Sequence, residues 1–276
     1  MIRAVDHIAA MSPYALAELK APPGKRLVSL SQNESLRPPS PGSVAAATTV
    51  LEAGHLYPDP EWNDLRMALS ALHDIPADQI LCGNGSMELI ACLSQAFVDE
   101  SGAVLAPVHG YPFFRTVAQL VRARFDTAAE ENGQVSVDTL LEAARPDTRI
   151  VFVANPGNPT GTRISRSELL RLRNGLPDSV LLVIDEAYGE FADRLDDPMF
   201  DLATRGDTVV VRTFSKAYGL AGMRVGWGVF PPAIVAEMRK VMNPNNISAA
   251  GQAAAAAAVA AQEYMRETCG LTVQLR

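Results

Sequence analysis

Cysteine is scarce in this chain. Cys82, Cys92 and Cys269 are the only three in 276 residues. An odd count with no metal-ligand spacing offers no sign of a disulfide framework or a cysteine zinc site, and reads most simply as three small buried thiols in a reducing cytoplasm. Positive charge is also in deficit, with 24 Lys and Arg against 31 Asp and Glu and a net charge of -7. That balance argues against a general nucleic-acid binder. Long apolar runs are missing, since none reaches the roughly 18 residues a membrane span needs. The amino-terminal stretch carries Arg3, Asp6 and His7 early and does not read as a secretory signal. No solenoid-type repeat is evident. The expectation is therefore a cytoplasmic protein that binds neither nucleic acid nor membrane.

What is present is a globular composition, 48% hydrophobic and 20% charged, large enough for a substantial core. Residues 1–47 hold Pro13, Pro22, Pro23, Pro38, Pro39 and Pro41. At that density they read as an irregular arm, with one short helical pattern near Tyr14–Lys20. Beyond it, helical periodicity over 61–73, 86–98, 111–123, 137–144 and 165–174 alternates with short apolar strands. The strands are expected at Ala103–Pro107, Ala123–Asp126, Arg149–Ala154, Val180–Ile184, Val209–Thr213 and Arg224–Phe230. Such alternation predicts an α/β fold, a mostly parallel sheet covered by helices on both faces. An alanine-rich helix over Ala249–Ala261 is the last element expected. The domain reading is an arm over 1–47, a large ligand-binding domain over 48–245, and the start of a carboxy-terminal domain over 246–276.

In such a sheet, ligands sit at the carboxyl ends of the strands, and the unusual residues of this chain collect there. Gly83-Asn84-Gly85-Ser86 follows a short apolar segment and opens a helix, with Ser86 expected as its cap; free amides and the helix dipole suit a phosphate. Tyr111 stands just beyond another strand, where a flat ring could stack on a ligand. Asn155-Pro156-Gly157-Asn158-Pro159-Thr160-Gly161 makes a loop restrained by two prolines and presents an amide. Asp185 ends an apolar strand, a costly place for an acid without a cationic partner, and a protonated pyridine nitrogen is one such partner. Thr213-Phe214-Ser215-Lys216 ends the next strand and leads through Gly222 to Arg224. An amine among hydroxyls and a guanidinium suits a carbonyl cofactor that carries a phosphate.

Taken singly, each motif has an ordinary reading as a turn, a cap or core packing. Their joint order resembles that of the fold-type I, pyridoxal-phosphate-dependent aminotransferases of class I/II, and within them the histidinol-phosphate aminotransferase branch. The carrying segments are Tyr57-Pro-Asp-Pro, Gly83-Asn-Gly-Ser-Met-Glu88, Asn155-Pro-Gly-Asn-Pro-Thr-Gly161, Asp185-Glu-Ala-Tyr188 and Ser215-Lys-Ala-Tyr-Gly-Leu-Ala-Gly-Met-Arg224.

The resemblance implies an aspartate-aminotransferase-like large domain with a seven-stranded sheet, pyridoxal 5′-phosphate as cofactor, and amino transfer between a small-molecule amino donor and a 2-oxo acid. It implies that Lys216 forms the cofactor aldimine and shuttles a proton. Asp185 would pair with the ring nitrogen, Asn158 and Tyr188 would bind the ring oxygen, and Tyr111 would stack on the ring. Gly85, Ser86, Thr213, Ser215 and Arg224 would hold the phosphate. Tyr57 would reach the phosphate of a neighbouring subunit, which implies a homodimer with shared sites, and Asn33 and Glu34 would lie near substrate. The family's small domain, with its arginine for the substrate carboxylate, would lie largely beyond Arg276, so the expectation is an intact cofactor shell with impaired turnover. Two other readings share these motifs: a decarboxylase similar to the threonine-phosphate decarboxylases, and an inactive truncated remnant.

Overall fold

The computed structural model describes residues 2–13, 20–193 and 198–276. The helical pattern expected over Tyr14–Lys20 falls almost wholly outside them, and Lys20 itself is irregular.

A seven-stranded sheet forms the core of the fold. Its strands are β1 (Ile80–Gly83), β2 (Ala103–Pro107), β3 (Arg124–Ala128), β6 (Thr148–Ala154), β7 (Leu181–Asp185), β8 (Thr208–Thr213) and β9 (Gly226–Val229), and they lie in the order β1-β9-β8-β7-β6-β2-β3. A separate hairpin pairs β4 (Glu130–Glu131) with β5 (Gln134–Val135). The strands β8, β7, β6, β2 and β3 run parallel, whereas β9 is antiparallel to both of its neighbours. Strands β1, β2, β7, β8 and β9 are buried at every position. Runs such as Val209-Val210-Val211 are thus continuous rather than alternating, because helices cover both faces.

The helices are α1 (Asp6–Ala9), α2 (Pro41–Thr49), α3 (Asn63–His73), α4 (Ser86–Phe97), α5 (Phe113–Leu120), α6 (Val137–Ala143), α7 (Arg166–Gly175), α8 (Gly189–Ala192), α9 (Pro232–Val241), α10 (Ala249–Ala260) and α11 (Gln262–Leu275). Their starts follow local chemistry. The Ser165 hydroxyl accepts from the Glu168 amide at the start of α7, and the Ser248 hydroxyl accepts from the Gly251 amide at the start of α10.

Three expectations change here. The proline-rich arm is not irregular throughout. Pro41 is the first residue of α2, where its missing N–H costs nothing, and the Ser40 hydroxyl caps the helix by accepting from the Ser43 amide at 3.1 Å. α2 then packs against α10. The cap of α4 is Gly85 rather than Ser86. Gly85 sits at φ 78, a conformation that a β-carbon penalises, and Ser86 becomes the first helical residue. The chain beyond Ala261 continues as α11, where no further element is expected.

The position of β9 decides the site. Strands β1, β2, β6, β7 and β8 all end at one edge of the sheet. β9 runs the other way, so its beginning lies at that edge, with Gly226 opposite both Gly83 and Thr213. Arg224, two residues before Gly226, is thereby delivered beside the carboxyl ends of the other strands.

Candidate active site

A cleft of about 610 Å³ opens at that edge, lined by Asn33, Glu34, Ser86, Tyr111, Asn158, Asp185, Tyr188, Thr213, Ser215, Lys216 and Arg224 among others. All of these were singled out from the sequence. Gly85 lies directly beneath the Arg224 guanidinium, since a β-carbon there would stand 2.5 Å from Nη2 of Arg224. Tyr57 is the exception. It is 87% exposed and does not line the cleft of its own chain.

The floor is built by β8 and the turn after it. The Thr213 hydroxyl donates to Oγ of Ser215 at 3.0 Å and accepts the Ser215 amide at 3.1 Å. The Arg224 guanidinium donates to the Ala221 carbonyl at 3.1 Å and reaches Ser215 Oγ at 3.4 Å. Arg224 itself adopts the left-handed conformation, φ 55 and ψ 58, an uncommon state for a non-glycine residue. Two hydroxyls, a guanidinium and the amino-terminal end of α4 thus converge on one spot, an arrangement suited to an anion with several oxygens. Among the described residues, no side chain caps the opening amides of α4.

Asp185 closes β7. It is buried, and its carboxylate accepts the Ala187 amide at 3.0 Å. Burial pushes its pKa up to about 6, with the neighbouring Glu186 carboxylate adding to the rise. Glu186 faces away from the cleft into a buried ion cluster, where the Arg212 guanidinium meets Glu186 at 2.8 Å and Asp193 at 2.7 Å. Burial opposes the charge on Arg212, but the carboxylates of Glu186, Glu190 and Asp193 hold its pKa well above the ordinary value. This cluster was not legible in the sequence.

The Asn158 loop is closed by its own residues. The Asn155 side chain donates to the Ile164 carbonyl at 3.2 Å and accepts the Ile164 amide at 2.9 Å, while the Gly157 amide donates to the Thr162 carbonyl at 2.8 Å. Asn155 is therefore a brace, and Asn158 is the amide that reaches the cleft. Tyr111 rests edge-on against buried Phe114, ring centroids 5.7 Å apart, and Phe114 stacks on Phe152 at 4.6 Å. Packing from behind thus sets the tilt of the Tyr111 ring.

Lys216 is held from the arm. Its ammonium donates to the backbone carbonyls of Gln32 at 2.9 Å and Asn33 at 3.1 Å. Asn33 is left-handed at φ 51, and its side-chain amide donates to the Tyr188 hydroxyl at 2.9 Å. Burial, helped by the nearby Arg224 charge and opposed by Glu34, pulls the pKa of Lys216 down. Gln32 was missed in the sequence because it acts through its main chain and so leaves no side-chain signal.

With this geometry in view, comparison with known proteins is direct. Residues 25–273 match the family model for aminotransferase class I and II. The histidinol-phosphate aminotransferase of Maricaulis maris is 41% identical over 93% of this chain and 71% of its own length. That of Ruegeria pomeroyi is 39% identical over 87% of this chain and 66% of its own length, so the chain spans about two thirds of this curated relative. The crystal structure of the Sinorhizobium meliloti histidinol-phosphate aminotransferase in complex with pyridoxal-5′-phosphate superposes with a TM-score of 0.83 at 32% identity, covering 86% of this chain and 65% of that one. A Thermus thermophilus aspartate aminotransferase mutant shares the fold, with a TM-score of 0.84 at 20% identity over 98% of this chain and 75% of its own. The order of motifs, the strand-end cleft and these likenesses agree, and the chain belongs to the class I and II aminotransferases.

Proposed function

We propose that this chain binds pyridoxal 5′-phosphate in the strand-end cleft and serves amino transfer between an amino donor and a 2-oxo acid. Histidinol phosphate, the substrate in the relatives' names, is the donor to test first. The observation that carries the reading is Asp185: a buried carboxylate, aimed into a cleft whose other end is an anion cup, with an amine beside both. A ligand with a protonated ring nitrogen, a phosphate and a carbonyl satisfies all three groups.

When bound, pyridoxal phosphate supplies an electron sink for the bond broken at the substrate α-carbon. The chain's residues do the rest. Asp185 keeps a proton on the ring nitrogen, and its burial strengthens that pairing. Ser86, Thr213, Ser215 and Arg224 grip the phosphate, with Gly85 leaving room for the guanidinium. Asn158 and Tyr188 would hydrogen-bond the ring oxygen, and Tyr111 would stack on the ring. Lys216 would hold the cofactor through Nζ and could carry a proton on the same atom. Its lowered pKa favours the neutral amine that both tasks need. To act, that amine leaves the carbonyls of Gln32 and Asn33. Asn33 and Glu34 lie on the substrate side.

Residues 48–245 carry the cofactor contacts in this reading, 1–47 bring the substrate-side pair, and 246–276 brace both. The high exposure of Tyr57 supports its reaching the phosphate of a second copy, in a homodimer. The three cysteines are free, which supports a cytoplasmic setting, and among the described residues no helix is long and apolar enough to cross a membrane. The relatives' names favour transamination over decarboxylation.

The test is borohydride reduction of the full chain mixed with pyridoxal phosphate, followed by peptide mass mapping. A phosphopyridoxyl adduct confined to the Lys216 peptide, and lost in Lys216→Ala, is expected. Adducts scattered over surface lysines would overturn the assignment. With histidinol phosphate and a 2-oxo acid supplied together, a ketone formed from the donor and an amino acid formed from the acceptor identify amino transfer, whereas carbon dioxide released from an amino-acid donor identifies decarboxylation.

A further inference from the structure

The turn that leads into α4 is gripped from behind by two side chains that lie outside the cleft. The Glu88 carboxylate, in the first turn of α4, accepts the backbone N–H of Asn84 at 2.5 Å and the side-chain amide of Asn246 at 2.7 Å. The same Asn246 amide donates to the Cys82 carbonyl at 3.1 Å, and its oxygen accepts the indole N–H of Trp62 at 3.0 Å. Asn246 and Trp62 are both buried. Cys82 and Asn84 flank Gly83, so the two side chains secure the turn on both sides just before Gly85 and Ser86. Asn246 comes from the segment between α9 and α10, and Trp62 from the start of α3. One asparagine therefore joins four parts of the chain at a single point.

We infer that Glu88 and Asn246 are positioning residues for the phosphate cup. Neither lines the cleft. They fix the direction of the opening amides of α4, and those amides bind a phosphate well only when aimed at it. A hydrogen bond to a carboxylate is stronger than a neutral one, and a buried partner left alone is costly. Removing the Asn246 amide strands the Cys82 carbonyl and the Trp62 indole and leaves the Glu88 carboxylate with the Asn84 N–H alone. The turn can then recover hydrogen bonds only by shifting, and a shift misdirects the amides. The same structure explains why the segment after residue 245 matters to a site whose own residues all precede it.

The inference rests on the cleft being the pyridoxal-phosphate site, and a paired-ligand experiment separates the two. The full wild-type chain, Asn246→Ala and Glu88→Gln are titrated with pyridoxal phosphate and with pyridoxal, which shares the ring and carbonyl but lacks the phosphate. Attachment at Lys216 is read by reduction and mass mapping, and folding by circular dichroism. Asn246→Ala is expected to weaken pyridoxal phosphate roughly tenfold or more while moving pyridoxal by no more than about twofold. Glu88→Gln, which keeps one acceptor oxygen, should lose less with the same selectivity. Equal losses for both ligands in the folded variants, or no loss for either, would overturn the positioning role, because a merely structural residue does not single out the phosphate. If Asn246→Ala does not fold, the ratio in Glu88→Gln decides in the same way. A wild-type chain that attaches neither ligand at Lys216 would overturn the cofactor reading, and this inference with it.

Discussion

At the scale of single residues, Asp185 shows how burial prepares a group for a ligand. Its folded-state pKa is raised from 3.8 to about 6. A carboxyl whose pKa rises on folding contributes stability that is fully present below pH 3.8 and is lost as pH climbs through about 6. The loss amounts to roughly 3 kcal/mol at neutral pH. Cofactor-free Asp185→Asn should therefore melt above wild type at pH 7.5, with the gap closing toward pH 4. With cofactor bound the order should reverse, since the variant has no charge to offer the ring nitrogen. A melting gap that does not change with pH would show that Asp185 is not buried as an isolated charge. The Glu186–Arg212 pair beneath it is buried too, but there each charge has its partner, and the pair ties the end of β7 to β8.

At the scale of elements, β9 and α4 meet main chain to main chain in the site. A β-carbon on Gly226 would lie 2.2 Å from the Ser86 amide nitrogen and 2.5 Å from the Gly85 carbonyl carbon. Both are main-chain atoms, so neither can swing aside. Gly226→Ala should cost about 1–3 kcal/mol or more, and it should weaken the cofactor more than a stability loss of that size explains, because it pushes away the very amides that face the phosphate. Chemical denaturation and cofactor titration on the same samples check both parts; a variant with wild-type affinity and stability would mean the helix start can retreat freely. The elements themselves were unevenly legible. The long apolar strands β6, β7 and β8 and helices α3, α4 and α7 follow from periodicity. β1 was visible only as a short apolar segment, since it has four residues and ends in glycine. α2 was hidden by its prolines, which read as breakers until Pro41 is seen at a helix start.

At the scale of the whole molecule, the cleft gathers residues from Ser31 to Arg224, so ligand binding and folding of the entire chain are linked. Pyridoxal phosphate at about one hundred times its dissociation constant should add about 2.7 kcal/mol of stability. This would raise the melting midpoint by several degrees, and Lys216→Ala should show less of the rise. A midpoint that saturating cofactor leaves in place would mean the chain does not assemble the cleft in solution. The sequence by itself determined the α/β class, the order of the motifs and the residue types at each strand end, because periodicity and turn chemistry act over a few neighbouring residues. Only the tertiary structure decided that β9 inserts backwards between β1 and β8 and delivers Arg224, that Asn246 grips the turn before Ser86, and that the carbonyls of Gln32 and Asn33 hold Lys216. Those contacts join residues far apart in the chain, through main-chain atoms and buried amides whose partners depend on strand order, and no local pattern encodes strand order.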